Sequence, residues 1–325
     1  MSRLPSIQCP ECNSKLEDVA PEAKSKSAVD YSTCRRRCEK CGLGFSNAQT
    51  DNIKKLTTIY RNCFTGIPAE IAEGYERVLA QAFNEKARTS KAKRFTFSTS
   101  EDHATWSVFR YLQCEHLIRV AVSRAGIQFV AQAESEPTIL LWGSPVPADN
   151  PNGRLIMERL IAASDRLEED RDKRSEPDVI LDFGPAGIVF IEVKLGSPNA
   201  IAKGDYDNWS RYLGGSTKAF RSESEIRRTG LYELARNWRI AWEMADGAPI
   251  AVVNLGPATL FRGKCGDAIA TFANALNQDE QHRFVAVSWE KFLGDVNAMP
   301  GWFQKYLFGR RVVYPFCQEF SPSRD

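Results

Sequence analysis

The sequence predicts an α/β protein with a mixed central sheet flanked by helices, preceded by a small cysteine-bearing domain. Three observations predict it. Two apolar runs, Val179-Ile180-Leu181 and Ile188-Val189-Phe190-Ile191, flank a Gly-Pro-Ala-Gly connection, the pattern of an antiparallel hairpin. A strongly helical stretch, 231–245, leads into a largely apolar run, 250–255, that reads as a further buried strand. Two Cys-x-x-Cys pairs fall within the first 41 residues. A chain of 325 residues can bury a sizeable core and carry two domains.

The pairs Cys9-Pro-Glu-Cys12 and Cys38-Glu-Lys-Cys41 read as two knuckles that offer four thiolates to one tetrahedral zinc, with 25 residues between the inner cysteines. Cys34 is a fifth candidate, able to replace Cys38. The start of the sequence has no apolar leader pattern and no run approaches the ~18 apolar residues of a membrane span, so a cytoplasmic protein with no membrane partner is expected. In that setting cysteine pairs favour metal over disulfides. Residues 1–95 carry 17 Lys and Arg against 11 Asp and Glu, leaving 26 against 30 for the rest. A basic first third suggests a polyanion-binding appendage.

The segment 34–46, with Arg35, Arg36 and Arg37 before the second cysteine pair and Gly42-Leu43-Gly44-Phe45 after it, resembles the second half of the zinc ribbons of NrdR-type repressors. The resemblance covers about the first fifty residues. It implies a zinc ribbon over 1–50 and phosphate contacts from the three arginines.

Residues 51–97 read as a helical linker that ends in a basic loop with Lys91, Lys93 and Arg94, a segment able to track a nucleic-acid backbone. The second domain, 98–325, opens with a long helix to about residue 122. Ser98 and Glu101 fit a capping box; alternatively, Glu101 projects towards the sheet that this helix covers. His103 and His116 have no partner motif. Short strands are expected over 127–130 and 138–142, and a helix over 154–167.

Alternation within the second hairpin strand places Glu192 and Lys194 on one face. Asp178 joins them only if the connection has an odd number of residues, because a one-residue slip sends its side chain to the other face. Two converging carboxylates form a hard-oxygen site for Mg²⁺ or Mn²⁺, and a neighbouring lysine adds the positive charge that phosphodiester hydrolysis needs.

Pro177-Asp178, thirteen residues, then Glu192-Val193-Lys194, resembles the PD-(D/E)xK motif of the restriction-endonuclease-like nucleases. The order of elements over 98–290 resembles that superfamily's core as well. The resemblance implies that Asp178 and Glu192 bind Mg²⁺, that Lys194 assists the nucleophile, and that Glu101 joins them from the first core helix. It also implies a polar residue facing the site from the second core helix, for which Tyr232 and Arg236 are the candidates. Aromatic residues among basic ones, Tyr206, Trp209 and Tyr212, add contacts for bases or phosphates. The expected protein is a Mg²⁺-dependent endonuclease acting on DNA, with RNA as the other polyanion and a second copy of the chain as a further partner. Alternatives are a non-cleaving nucleic-acid-binding protein and a structure-specific repair nuclease.

Overall fold

The computed structural model describes residues 3–22, 27–82, 84–196, 199, 208–214, 219–310 and 312–313; Tyr206 lies outside them. Two small sheets open the chain. β1 (Ile7–Gln8) pairs antiparallel with β2 (Lys15–Leu16), and β3 (Arg36–Cys38), β4 (Leu43–Phe45) and β5 (Thr58–Tyr60) form an antiparallel sheet in that order. β5 therefore belongs with the cysteine-bearing strands, although residues 51–97 read as a linker. The same segment continues into the main core, where Tyr75, Val78 and Leu79 are buried. The basic stretch expected as a loop is a helix, Glu85–Arg94, capped by the Asn84 side chain on the Ala87 amide.

The large sheet is mixed. It contains β6 (Thr138–Leu141), β7 (Ser144–Val146), β8 (Val179–Asp182), β9 (Ile188–Val193), β10 (Ile250–Gly256) and β11 (Phe284–Ser288), in the order β11-β10-β9-β8-β6-β7. The β7-β6, β6-β8 and β8-β9 pairs are antiparallel, while β10 and β11 continue parallel to β9. The parallel step from β9 to β10 spans the helix Tyr232–Ala245, the crossover that parallel pairing requires.

Both faces of this sheet are covered, so its central strands are apolar at consecutive positions. Val179, Leu181, Val189 and Ile191 pack with the first core helix, Glu101–Cys114, and with Ile118–Ala125. Ile180, Ile188 and Phe190 pack on the other side against Pro151–Arg166 and Tyr232–Ala245. The first core helix stops at Cys114, where His116 adopts φ 55°, instead of running on to residue 122. Its cap is Ser100, which accepts from the His103 amide; Ser98 instead accepts from the Thr58 amide. The strand expected over 127–130 is a 3₁₀ turn, Gln128–Gln132. Among the described residues no helix is long and apolar enough to cross a membrane.

Candidate active site and metal centre

Cys9, Cys12, Cys38 and Cys41 bring their sulfurs within 4.8 Å of one another, with Cys12 Sγ and Cys38 Sγ 3.6 Å apart. Four thiolates at a Zn–S distance of ~2.3 Å stand roughly 3.8 Å apart in a tetrahedron, so the group could hold a metal such as zinc. Backbone turns shape each knuckle: Asn13 N donates to Cys9 O, and Gly42 N to Cys38 O, at 2.9 and 2.8 Å. Cys34 is not in the group. Its buried thiol donates to Asp30 O at 3.3 Å, and burial pushes its pKa up to about 12.

The arginine run beside this centre is built inward. Arg35 forms a buried ion pair with Asp18, donating from Nε to Oδ1 at 3.0 Å. Arg36 is 0 % exposed and donates to the carbonyl oxygens of Pro5, Ser46, Ala48 and Thr50. Neither can reach a phosphate, which corrects the expectation for both: their charge is spent on holding loops together. Arg37 is half-buried and pairs with Glu39 at 3.0 Å, on the outer side.

The β8–β9 hairpin has a five-residue connection, 183–187, with Asp182 opposite Ile188 and Val179 opposite Ile191. One step further in this register, Asp178 stands opposite Glu192, and both carboxylates take the same side. Gly187 permits the turn. Its φ is +141°, and a Cβ there would lie 2.6 Å from Pro249 O.

The hairpin end opens into a cleft of about 760 Å³ lined by Asp178, Glu192 and Lys194, with Glu101 from the first core helix. Asp178 Oδ2 accepts from the Val193 amide at 2.8 Å. Lys194 Nζ donates to Glu192 Oε1 at 2.6 Å and to Glu233 Oε2 at 3.0 Å, and Asn237 Nδ2 donates to Glu192 Oε2 at 2.9 Å. Glu101 Oε1 accepts from the Leu195 amide at 2.9 Å, so the carboxylate reaches the strand end. The Lys194 backbone is fixed from both sides, N to Leu255 O and O from Trp289 Nε1.

The electrostatics follow from burial and pairing. Desolvation and the Glu192 charge push the Asp178 carboxyl well above the usual carboxylate range. Burial opposes ionisation of Glu192 too, but Lys194 and Arg236 hold its pKa below the ordinary value. Burial likewise opposes the charge of Lys194, yet Glu192, Glu233 and Asp178 together raise its pKa. Lys194 is thus a firmly held cation.

Tyr232 and Arg236 both line the cleft from the second core helix. Arg236 faces the charges of Glu192 and Glu233, and its ring neighbour Tyr232 lies 5.9 Å from its guanidinium carbon. Lys91 enters the cleft from the helix Glu85–Arg94, 2.7 Å from Asp102 and 3.7 Å from Glu176, whereas Lys93 and Arg94 on the same helix are exposed. His103 lies away from the cleft, buried between Tyr306 Oη and Cys63 O at 2.8 Å each.

Sequence reasoning missed Glu233 and Asn237. The signal was their spacing: they lie one helical turn apart, displaced by one residue from Tyr232 and Arg236. Among the described residues the four cysteines have ligand atoms all within 4.8 Å of one another, and no three carboxylates do.

Comparison of the chain with protein-family models, with curated proteins and with solved structures returns no match.

Proposed function

We propose that the chain is a metal-dependent nuclease of the PD-(D/E)xK superfamily that hydrolyses DNA, in restriction or defence against phage, with a zinc ribbon that aids nucleic-acid binding. One observation carries the reading: Asp178, Glu192 and Lys194 line one cleft at the hairpin end, just beyond the Val179–Ile191 pair. The order helix, β6, β8, β9, helix, β10 supports it as well.

The donor set fits Mg²⁺ or Mn²⁺. Asp178 and Glu192 are like charges held together with one of them driven towards protonation, and such an ion takes one or two carboxylates and completes its shell with water. When bound, the ion supplies a polarised phosphate and an acidified water. The chain's own groups do the rest. Lys194 sets a fixed positive charge where the reacting phosphate gains negative charge. Asn237 orients Glu192 through one oxygen and leaves that carboxylate further lone pairs. Exposed Lys93 and Arg94 supply phosphate contacts outside the cleft.

In a plasmid-nicking assay, Mg²⁺-dependent activity is expected to fall by roughly a hundredfold or more in Asp178→Ala and in Lys194→Ala, with circular dichroism unchanged. Activity untouched by both substitutions overturns the assignment. A second reading, a nucleic-acid-binding protein that does not cleave, is favoured by the Lys194 ammonium, which already occupies Glu192 Oε1 at 2.6 Å and Glu233 Oε2 at 3.0 Å. DNA binding without nicking under any divalent ion would select it.

A further inference from the structure

Both oxygens of Glu192 carry a donor. Oε1 accepts from Lys194 Nζ at 2.6 Å and Oε2 from Asn237 Nδ2 at 2.9 Å. The two donors differ in kind. Asn237 is neutral, and a carboxylate oxygen that accepts one hydrogen bond keeps a lone pair for a second partner. Lys194 brings a full positive charge to the other oxygen, where it and a divalent ion would repel each other across a single atom. A metal at this carboxylate therefore needs the Lys194 ammonium to have another seat.

The structure holds one. The Lys194 backbone is fixed, its amide donating to Leu255 O at 2.7 Å and its carbonyl accepting from Trp289 Nε1 at 2.9 Å, so movement is left to the side chain. Nζ already meets a second carboxylate, Glu233 Oε2, at 3.0 Å. The two acids lie at different depths: the Glu192 side chain is 5 % exposed and that of Glu233 28 %. Glu233 stands on the helix Tyr232–Ala245, one turn before Asn237. One helix thus carries both the neutral donor that orients Glu192 and the anion that can take the lysine from it.

We infer that Glu233 is a positioning residue for the metal site: it draws the Lys194 ammonium off Glu192, which opens Oε1 to a divalent ion while the lysine stays in the cleft. Glu192 and Glu233 are the closed and open seats of one mobile cation. The inference rests on the proposed metal-dependent reading for the ion, and on the two hydrogen bonds of one ammonium for the exchange.

The test measures Mn²⁺ binding to the full chain, prepared with zinc and without nucleic acid, from the free-ion signal in electron paramagnetic resonance. The site in question is the one lost in Asp178→Ala. Glu233→Gln keeps the shape of the side chain and removes its charge. It is expected to weaken Mn²⁺ binding by roughly ten- to a hundredfold, the usual effect of losing a partner that acts through a ligand. Lys194→Met removes the competing charge and keeps most of the stem, and in that background Glu233→Gln should shift the affinity by less than about threefold. A Glu233 that bound the ion itself, or acted only through its charge, would give an equal or larger loss in the Lys194→Met background, and that result overturns the inference. So does an affinity that Glu233→Gln leaves unchanged, or a wild-type chain without an Asp178-dependent Mn²⁺ site. Lys194→Gln makes the same comparison if circular dichroism shows the methionine variant unfolded. Plasmid nicking by the wild-type chain separates the two readings. Lysine-dependent Mn²⁺ binding without nicking supports the inference and sinks the nuclease reading, whereas nicking with no such dependence does the reverse.

Discussion

Burial and the neighbouring Glu192 both work against ionisation of Asp178, so the folded protein holds that proton more tightly than the unfolded chain does. The sign of the pH effect follows. Above the unfolded carboxyl pKa of about 3.9, the unfolded state releases the proton first, and stability falls as pH rises until the folded group has ionised as well. Asp178→Asn carries no such penalty. It is expected to melt a few degrees above wild type at neutral pH, on a scale of about 2–4 °C per kcal/mol, while losing nicking activity. Differential scanning calorimetry from pH 4 upwards checks this: the gap should widen with pH, and a variant that melts lower at neutral pH contradicts it. At this scale Asp178, Glu192 and Lys194 were legible because a charge at the end of an apolar strand has to be paired. Arg36 was not, because its four carbonyl acceptors lie 10 to 31 residues away in separate loops.

Among the elements, the hairpin bears the most weight. Its odd connection depends on Gly187, where any side chain would meet Pro249 O and the Phe129 ring. Gly187→Ala is expected to cost about 2–4 kcal/mol in urea unfolding. It should also reduce nicking, because a one-residue slip turns Asp178 away from Glu192. A neutral effect on stability would show that the turn tolerates a side chain. The hairpin could be read ahead of the structure because its apolar runs, turn glycines and charges agreed on one register. The helix Glu85–Arg94 could not, since its composition is that of a solvated linker and the partners that draw Lys91 inward, Asp102 and Glu176, come from other elements. Residues 127–130 misled in the opposite way. Ile127, Phe129 and Val130 favour a strand, yet packing of this segment folds it into a 3₁₀ turn.

For the molecule as a whole, the cysteine group is a structural hinge pin. β1 and β2 are two residues each, too short to persist without a cross-link, and each cysteine pair comes from a different small sheet. About one zinc per chain is expected by elemental analysis, lost in the double substitution Cys9→Ser with Cys12→Ser. The metal-free chain should melt lower across the whole transition, because β5 is joined to residues 97–98 just ahead of the first core helix. A cysteine-rich end that melts alone, with the rest unmoved, would show two independent units. Arg310 closes the same junction. It donates to Phe97 O and Cys63 O, and its guanidinium lies 4.0 Å over the Tyr60 ring. All three partners are made more than two hundred residues earlier in synthesis. Two of them have local partners too: Cys63 O meets His103 Nε2, and Phe97 O accepts from the Ser100 amide. Arg310 is thus a clasp from a distant part of the chain on a junction that β5 and residues 96–98 make locally, and the start of the helix that carries Glu101 is held from two directions at once.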